Sequence, residues 1–286
     1  MNRKDGIKVK NLDGMHGLIN FVMPRRADSE VYINTKLDVT NLVEYMNKKK
    51  KQKGNEDLTY FHAFAIGIGK LLYNRPLLNR FVINKTHYDR KDITLSFVAK
   101  KEFNDHAEET FNVVKVEEKD NIFTMSNKIS GKVHKVRGEK KTNAADNFMN
   151  NIGKLPKFIR WLIIKIVKFA DNHDLIPQSL TSNSIYHSSV LLSNLGSIKC
   201  GAIYHHLTDL GTNSLLITIG EIKDEPVVID GKVEIRKMCE FGATLDERIG
   251  DGFYFVKSLK LLEYMFNNPE VLEEDANVRI IEKQAK

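Results

Sequence analysis

Cysteine, proline and tryptophan are scarce in this sequence, and long apolar runs are missing. Two cysteines among 286 residues, Cys200 and Cys239, exclude a disulfide framework; they lack metal-ligand spacing and fit a reducing cytoplasm. With six prolines and no Gly/Ser-rich stretch there is no linker to divide the chain, so a single domain with frayed ends is expected. The longest apolar run, Trp161-Leu162-Ile163-Ile164, stops at Lys165, far short of a membrane span. Met1 to Lys10 has no apolar core, which argues against a signal peptide. The chain has no P-loop, no G-x-G-x-x-G, no H-E-x-x-H and no G-x-S-x-G. Phosphoryl transfer, dinucleotide binding, zinc proteolysis and a serine nucleophile elbow are left without a motif, and no metal is expected.

Basic residues are in excess. Lys plus Arg is 44 against 37 for Asp plus Glu, a net charge of +7. That balance suits an anionic small molecule, an acidic partner or an anionic surface, and equally a solvated basic exterior. Basic residues are not interleaved with aromatics and no nucleic-acid module is evident, so no nucleic-acid partner is expected.

Periodicity predicts alternating elements. Val31 to Asp38 alternates like a strand, and Thr40 is expected to cap a helix ending in the Lys48 to Lys51 run, where cations complement the dipole. Thr59 opens a second helix that stops before Pro76. Phe81-Val82-Ile83 and Thr86-His87-Tyr88 suggest a hairpin, followed by strands over 93–98 and 111–116. Residues 117–152 are polar and predict a surface helix and a loop. Leu155 to Asp171 predicts a helix apolar over more than half its circumference, with Lys154, Lys157, Arg160, Lys165 and Lys168 on the remaining arc. It suits a core helix with a basic outer stripe, a membrane-surface helix over 154–170, or the wall of an apolar pocket. Strands follow at 188–193 and 214–219. A hairpin then turns on Asp230-Gly231, a type I′ pair. A strand over 239–245 precedes a closing helix over 253–266, with Ser258 and Lys260 on its polar side. Mixed order without regular βαβ alternation gives an α+β class with a mixed sheet.

Three blocks in this order carry a family resemblance over about 30–275: the strand and helix of 31–50, Ser193-Asn194-Leu195-Gly196-Ser197-Ile198, and Asp246-Glu247-Arg248-Ile249-Gly250-Asp251-Gly252. They resemble the CoA-dependent acyltransferases, namely the catalytic domains of dihydrolipoyl acyltransferases and chloramphenicol acetyltransferase. Glu247 stands where that family's D-H-R-x-x-D-G pattern has its catalytic His. Residues 118–185 depart from the family and look like a helical insertion. The resemblance implies a two-layer sandwich with covering helices, assembled as a homotrimer with the active site between subunits. It implies coenzyme A and acyl-CoA as substrates, with Asn194, Gly196 and Arg248 as contacts. No lipoyl attachment site or subunit-binding domain is expected, and the cytoplasm is the expected location.

Acyl transfer from a thioester needs a base for the acceptor and a donor for the tetrahedral oxyanion. By the resemblance Ser193 supplies that hydroxyl; otherwise it only bonds its own turn. Asp251 holds the catalytic loop, with Arg248, Arg25 or Arg26 as partner, and Gly252 permits a tight exit into the last helix. For the base, a thiol titrates near 8.5, an imidazole near 6.5 and a glutamate near 4.3, a mismatch of roughly 2 against 4 units. A glutamate at position 247 serves only in an apolar pocket, and pairing with Arg248 would work against it. His205 and His206, shortly after the Ser193 turn, are alternative bases at neutral pH. Cys200 is either an acyl carrier or a buried inert thiol. The expected activity is acyl transfer to a thiol, hydroxyl or amine. The alternative is a silent relative that binds acyl-CoA or another hydrophobic anion, or serves as an assembly subunit.

Overall fold

The computed structural model describes residues 2–100, 109–138 and 151–280. In chain order the elements are β1 (Gly6–Lys8), α1 (Gly14–Val22), β2 (Glu30–Asp38), α2 (Thr40–Lys50), α3 (Tyr60–Asn74), β3 (Arg80–Ile83), β4 (Thr86–Arg90), β5 (Ile93–Lys100) and β6 (Glu109–Val116). There follow α4 (Ile122–Gly138), α5 (Lys157–Asn172), α6 (Gln178–Thr181), β7 (Val190–Asn194), β8 (Leu215–Ile229), β9 (Lys232–Asp246) and α7 (Gly252–Asn267). The main sheet runs β2-β9-β8-β7-β5-β6, with β7 parallel to both neighbours and the other pairs antiparallel. This is the expected α+β, two-layer arrangement on a mixed sheet.

Alternation gives the sheet two unlike faces. Val31 and Ile33 of β2, Ala243 and Leu245 of β9, Leu215 and Ile217 of β8, and Leu192 of β7 share one face in register. Helices α2, α3, α4 and α7 cover that face and close the core. At its centre is α3, buried all round from His62 to Leu72, capped by Thr59, whose hydroxyl accepts from the His62 N–H. The opposite face carries Glu30, Tyr32 and Asn34 of β2, Asp246, Thr244 and Gly242 of β9, Thr218 of β8 and Ser193 of β7. No helix covers it. Instead the segment after the Ser193 turn lies across it. The Cys200 carbonyl accepts from Glu221 N (2.9 Å), Ala202 N donates to Glu240 Oε2 (3.0 Å), the Ile203 carbonyl accepts from Thr218 Oγ1 (2.9 Å), and Leu207 N donates to Glu30 Oε1 (2.6 Å). Gly242 makes room for it: a Cβ there would meet Thr218 Oγ1 at 2.5 Å and the Ile203 carbonyl at 3.3 Å.

Several expectations need correction. The N-terminus is tied down rather than frayed, because β1 pairs with β4 beside β3 in a small second sheet and the Arg3 guanidinium donates to the Asp171 carbonyl at 2.6 Å. Val39, not Thr40, is the cap of α2; Thr40 Oγ1 donates to Asp38 and accepts from Lys237 N. Helix α4 is not only a surface element, since Ile122, Met125 and Ile129 are buried; residues 139–150 lie outside the described residues. Ser258 is buried and accepts from Arg75 Nε at 3.1 Å. The largest correction concerns α5. It is not a core helix, because Phe158, Trp161, Leu162, Ile166 and Phe169 are all exposed. Pro156 is its N-cap residue. Among the described residues no helix is long and apolar enough to cross a membrane.

The β8–β9 hairpin turns as expected on Asp230 and Gly231, both at positive φ (49° and 78°). Its outer part is paired only with itself. Beyond Asp38 on one side and the bulge at Ile219/Ile222 on the other, it continues as a two-stranded ribbon whose Val228, Val233 and Ile235 are exposed.

Candidate active site

The end of β9, the start of β2 and the overlying segment meet at one corner of the uncovered face. Glu30 faces Asp246 directly across the strand pair, and only 2% of its side chain is exposed. Its carboxylate accepts from Leu207 N, from the Tyr32 hydroxyl and from His206 Nδ1 (2.8 Å). A carboxylate only accepts, so His206 Nδ1 carries a proton, and in the neutral ring Nε2 keeps its lone pair. The imidazole is 80% exposed, so that lone pair faces outward. The Tyr204 ring packs edge-on against Tyr32 at 5.2 Å and closes one side. The bond to Glu30 pushes the Tyr32 hydroxyl up from its usual range. His205 lacks such support; it is exposed and its Nδ1 donates to the His206 carbonyl at 3.1 Å. Neither Glu30 nor Tyr32 was expected at the site. Nothing local marks them, and Glu30 is brought to His206 only by the chain's path.

The Asp246 to Gly252 signature divides into buried and displayed members. Arg248 is buried, and its guanidinium bonds within the protein. It clasps the fully buried Asp246 through Nε (2.8 Å) and Nη2 (2.7 Å) and donates to the Met23 carbonyl (3.1 Å). Ser29 Oγ adds a bond to Asp246 at 3.0 Å, and the His87 ring donates Nε2–H to the Arg248 carbonyl at 2.8 Å. Glu247 therefore does not pair with Arg248. Its backbone N–H donates to Ser29 O (2.8 Å), while its half-buried carboxylate makes no hydrogen bond or ion pair among the described residues. The loop-holding aspartate is Asp246, not Asp251. Asp251 is exposed and caps α7 by accepting from Tyr254 N at 2.7 Å. The other expected arginines are engaged elsewhere: Arg25 with Asp28, Arg26 with the Thr208, Val82 and Gly211 carbonyls. Gly252 has open space around it and no positive φ, so no tight exit requires a glycine there.

Ser193 lies on the same uncovered face, half-buried, and its hydroxyl has no hydrogen bond among the described residues; it is Ser197 that bonds the turn, through the Asn194 carbonyl (2.8 Å). Gly196 serves packing: a Cβ would lie 2.6 Å from the Gly220 carbonyl oxygen. Asn194 and Gly196 open onto a groove of about 670 Å³ on the helical side, walled by Tyr60, Phe61, His62 and Phe97. Ser193 and His206 do not meet within one chain. Ser193 is in register with Thr218, Gly242 and Asn34, and Glu30 lies four residues farther along β2. Three strand spacings and four residues put Ser193 roughly 20 Å from Glu30, the partner of His206. Cys200 is exposed rather than buried, and Cys239 is the buried thiol, pushed up to about 12 by burial. No cluster of metal-binding side chains occurs among the described residues.

His62 is a structural histidine at the groove. Burial pushes it down to about 4, and its Nδ1 already accepts from Ser126 Oγ (2.9 Å) and Thr59 N (3.2 Å). Above pH ~6.5 folded and unfolded states are both neutral there, so the residue adds no pH dependence. Below it the unfolded chain binds a proton that the folded chain refuses, a loss growing to on the order of 3 kcal/mol near pH 4. Urea titrations of the native protein and His62→Gln should therefore diverge between pH 7 and pH 4.5, the native protein losing more. Parallel losses would acquit His62.

Residues 172–273 match the model of the 2-oxoacid dehydrogenases acyltransferase (catalytic domain) family. A search of curated proteins finds no match. Among solved structures, a probable dihydrolipoamide acetyltransferase from Listeria monocytogenes 4b F2365 is 19% identical with TM-score 0.61, over 92% of this chain and 95% of that one. The cubic core of the pyruvate dehydrogenase multienzyme complex aligns at 13% identity and TM-score 0.61, over 93% and 94%. Chloramphenicol acetyltransferase aligns at 9% identity and TM-score 0.57, over 92% and 98%. At these identities the structures establish the fold. This chain thus has the chloramphenicol acetyltransferase-like fold over the 92% of its length that aligns, and residues 172–273 match the 2-oxoacid dehydrogenase acyltransferase catalytic-domain family.

Proposed function

We propose that the protein is a CoA-dependent acyltransferase, moving an acyl group from acyl-CoA to a thiol, hydroxyl or amine acceptor. Each site forms between two protomers of a homo-oligomer. The observation that carries this reading is the Glu30–His206 pair, in which a buried carboxylate fixes the imidazole with a free Nε2 outward. His206 Nε2 removes the acceptor's proton as the acceptor attacks the thioester carbonyl. The resulting oxyanion takes a hydrogen bond from the Ser193 hydroxyl of the neighbouring protomer. The carbon–sulfur bond then breaks, and the CoA thiolate leaves with the proton held on His206. The groove beside Asn194 is of a size to take the flexible arm of the thioester. Arg248 and Asp246 hold the corner without touching substrate.

Two features support an assembled site. Ser193 and His206 share one face but stand too far apart within a chain, and one structural neighbour is the cubic core of a multienzyme complex. The test is acyl transfer from a panel of acyl-CoAs to thiol, hydroxyl and amine acceptors. Ser193→Ala should lower turnover by about 10²–10³. If Ser193→Ala and His206→Asn protomers are mixed and reassembled, about a quarter of the sites in a cyclic oligomer regain both groups. Recovery supports the shared site, and none would refute it. Absence of turnover from every acyl-CoA would instead favour the binding-only alternative, which the Glu at position 247 makes the natural second reading.

A further inference from the structure

Helix α5 is amphipathic, anchored at one end and otherwise unpartnered. Ile163, Val167 and Ala170 are half-buried and mark the stripe that rests on the body. At Asp171 the helix is fastened: the Asp171 carboxylate accepts from Gly211 N (3.1 Å) and pairs with His187 (3.2 Å), and its carbonyl accepts from Arg3. The rest projects. Phe158, Leu162, Ile166 and Phe169 fall on one arc at helical spacing, with exposures of 42–69%. Lys157, Arg160 and Lys168 lie across the helix from that arc, Lys165 borders it beside Phe158, and no carboxylate occurs between residues 151 and 170. Trp161 lies beside Lys168 and Lys165, stacks on Phe158, and has Lys165 4.3 Å over its ring.

The charge pattern selects the occupant. Two copies docked through this helix would bring two basic flanks together with no carboxylate between them, and interface cores are depleted of lysine. The helix spans 16 residues, about 24 Å, with cations along its length, so it does not cross a bilayer. Apolar and aromatic side chains on one arc beside a cationic flank suit the boundary between headgroups and acyl chains.

We propose that α5 lays the protein on the surface of a bilayer containing anionic lipid. The inference goes beyond the acyl-transfer reading and stands without it. Trp161 is the only tryptophan in the chain, so its fluorescence reports this helix directly. Mixed with vesicles of phosphatidylcholine and phosphatidylglycerol, the full chain should sediment with them. Trp161 emission should shift to the blue and be quenched by lipids brominated on their acyl chains. Vesicles of phosphatidylcholine alone should bind far less, and salt should weaken the anionic case. Lys157→Gln and Lys168→Gln, both at exposed positions, should each lower the partition coefficient about 5-fold. Phe169→Ser should reduce it further while acyl transfer and circular dichroism stay unchanged. The proposal is overturned if neither vesicle shifts the emission or sediments the protein. It is equally overturned if the shift follows protein concentration without lipid, which would mean a second copy covers the helix.

Discussion

If the proposed mechanism holds, replacing His206 with Asn should lower acyl transfer by about 10²–10⁴-fold, the range set by loss of a positioned general base. The side chain is exposed and its backbone contacts are few, so the variant should fold as the native protein does. Glu30→Gln keeps an acceptor for Leu207 N but removes the charge that fixes the ring's tautomer; its loss should be smaller and fall on kcat rather than KM. Glu247→Ala is the control that decides between candidates. With His206 as base, Glu247→Ala stays within about tenfold of the native rate, a change expected of a neighbouring side chain rather than of the base itself. The comparison needs only steady-state rates for the three variants with one active acyl-CoA. If Glu247→Ala abolishes turnover while His206→Asn does not, the assignment of the base is reversed.

Arg248→Met should be the most destabilising of the signature substitutions, by about 3–5 kcal/mol, because it strands a buried carboxylate. Asp246 is fully buried and its charge is met by the two guanidinium bonds and the Ser29 hydroxyl. Removing the arginine side chain leaves that charge with two neutral donors, the Ser29 hydroxyl and the backbone N–H of residue 248. The double variant Asp246→Leu/Arg248→Met should recover much of the loss, since an apolar pair of similar volume avoids the desolvation cost of two ions. Asp251→Ala removes only a helix cap and should cost about 1 kcal/mol. Urea unfolding at neutral pH checks the order. If Arg248→Met costs no more than Asp251→Ala, the buried pair does not hold this corner.

The strands, the helices of the covering layer and the signature's position were legible because alternation, capping residues and the Asp-Gly turn are local signals. What could not be read was which aspartate meets Arg248. Asp246 and Asp251 both lie within three residues of it, and only the end of β9 turns one inward and hands the other to α7. Nor could Glu30 be found, because it lies 176 residues from His206 and reaches it only through sheet topology. The apolar helix was ambiguous for a different reason. An apolar arc beside a cationic flank looks the same in sequence whether the helix is covered by the core or left outside it. That choice was made by α2, α3, α4 and α7, which already fill the helical layer.

Strands β8 and β9 are each one continuous stretch of hydrogen-bonded backbone, yet thermodynamically each is two objects. From Leu215 to Ile219 and from Cys239 to Asp246 their residues are flanked by other strands and, on one face, by the core. Opening there exposes buried apolar surface and approaches the cost of global unfolding. From Asp224 to Arg236 the same two strands pair only with each other, joined to β2 by the Lys36–Glu225 ion pair, with few apolar contacts to lose. An isolated two-stranded ribbon is marginal in water. The ribbon can therefore fray and re-form many times within the lifetime of the native fold. The bulge at Ile219/Ile222 and the end of β2 at Asp38 mark where the excursion stops. His206 and Ser193 lie on the side that stays closed, so motion of the arm is insulated from the geometry of the site.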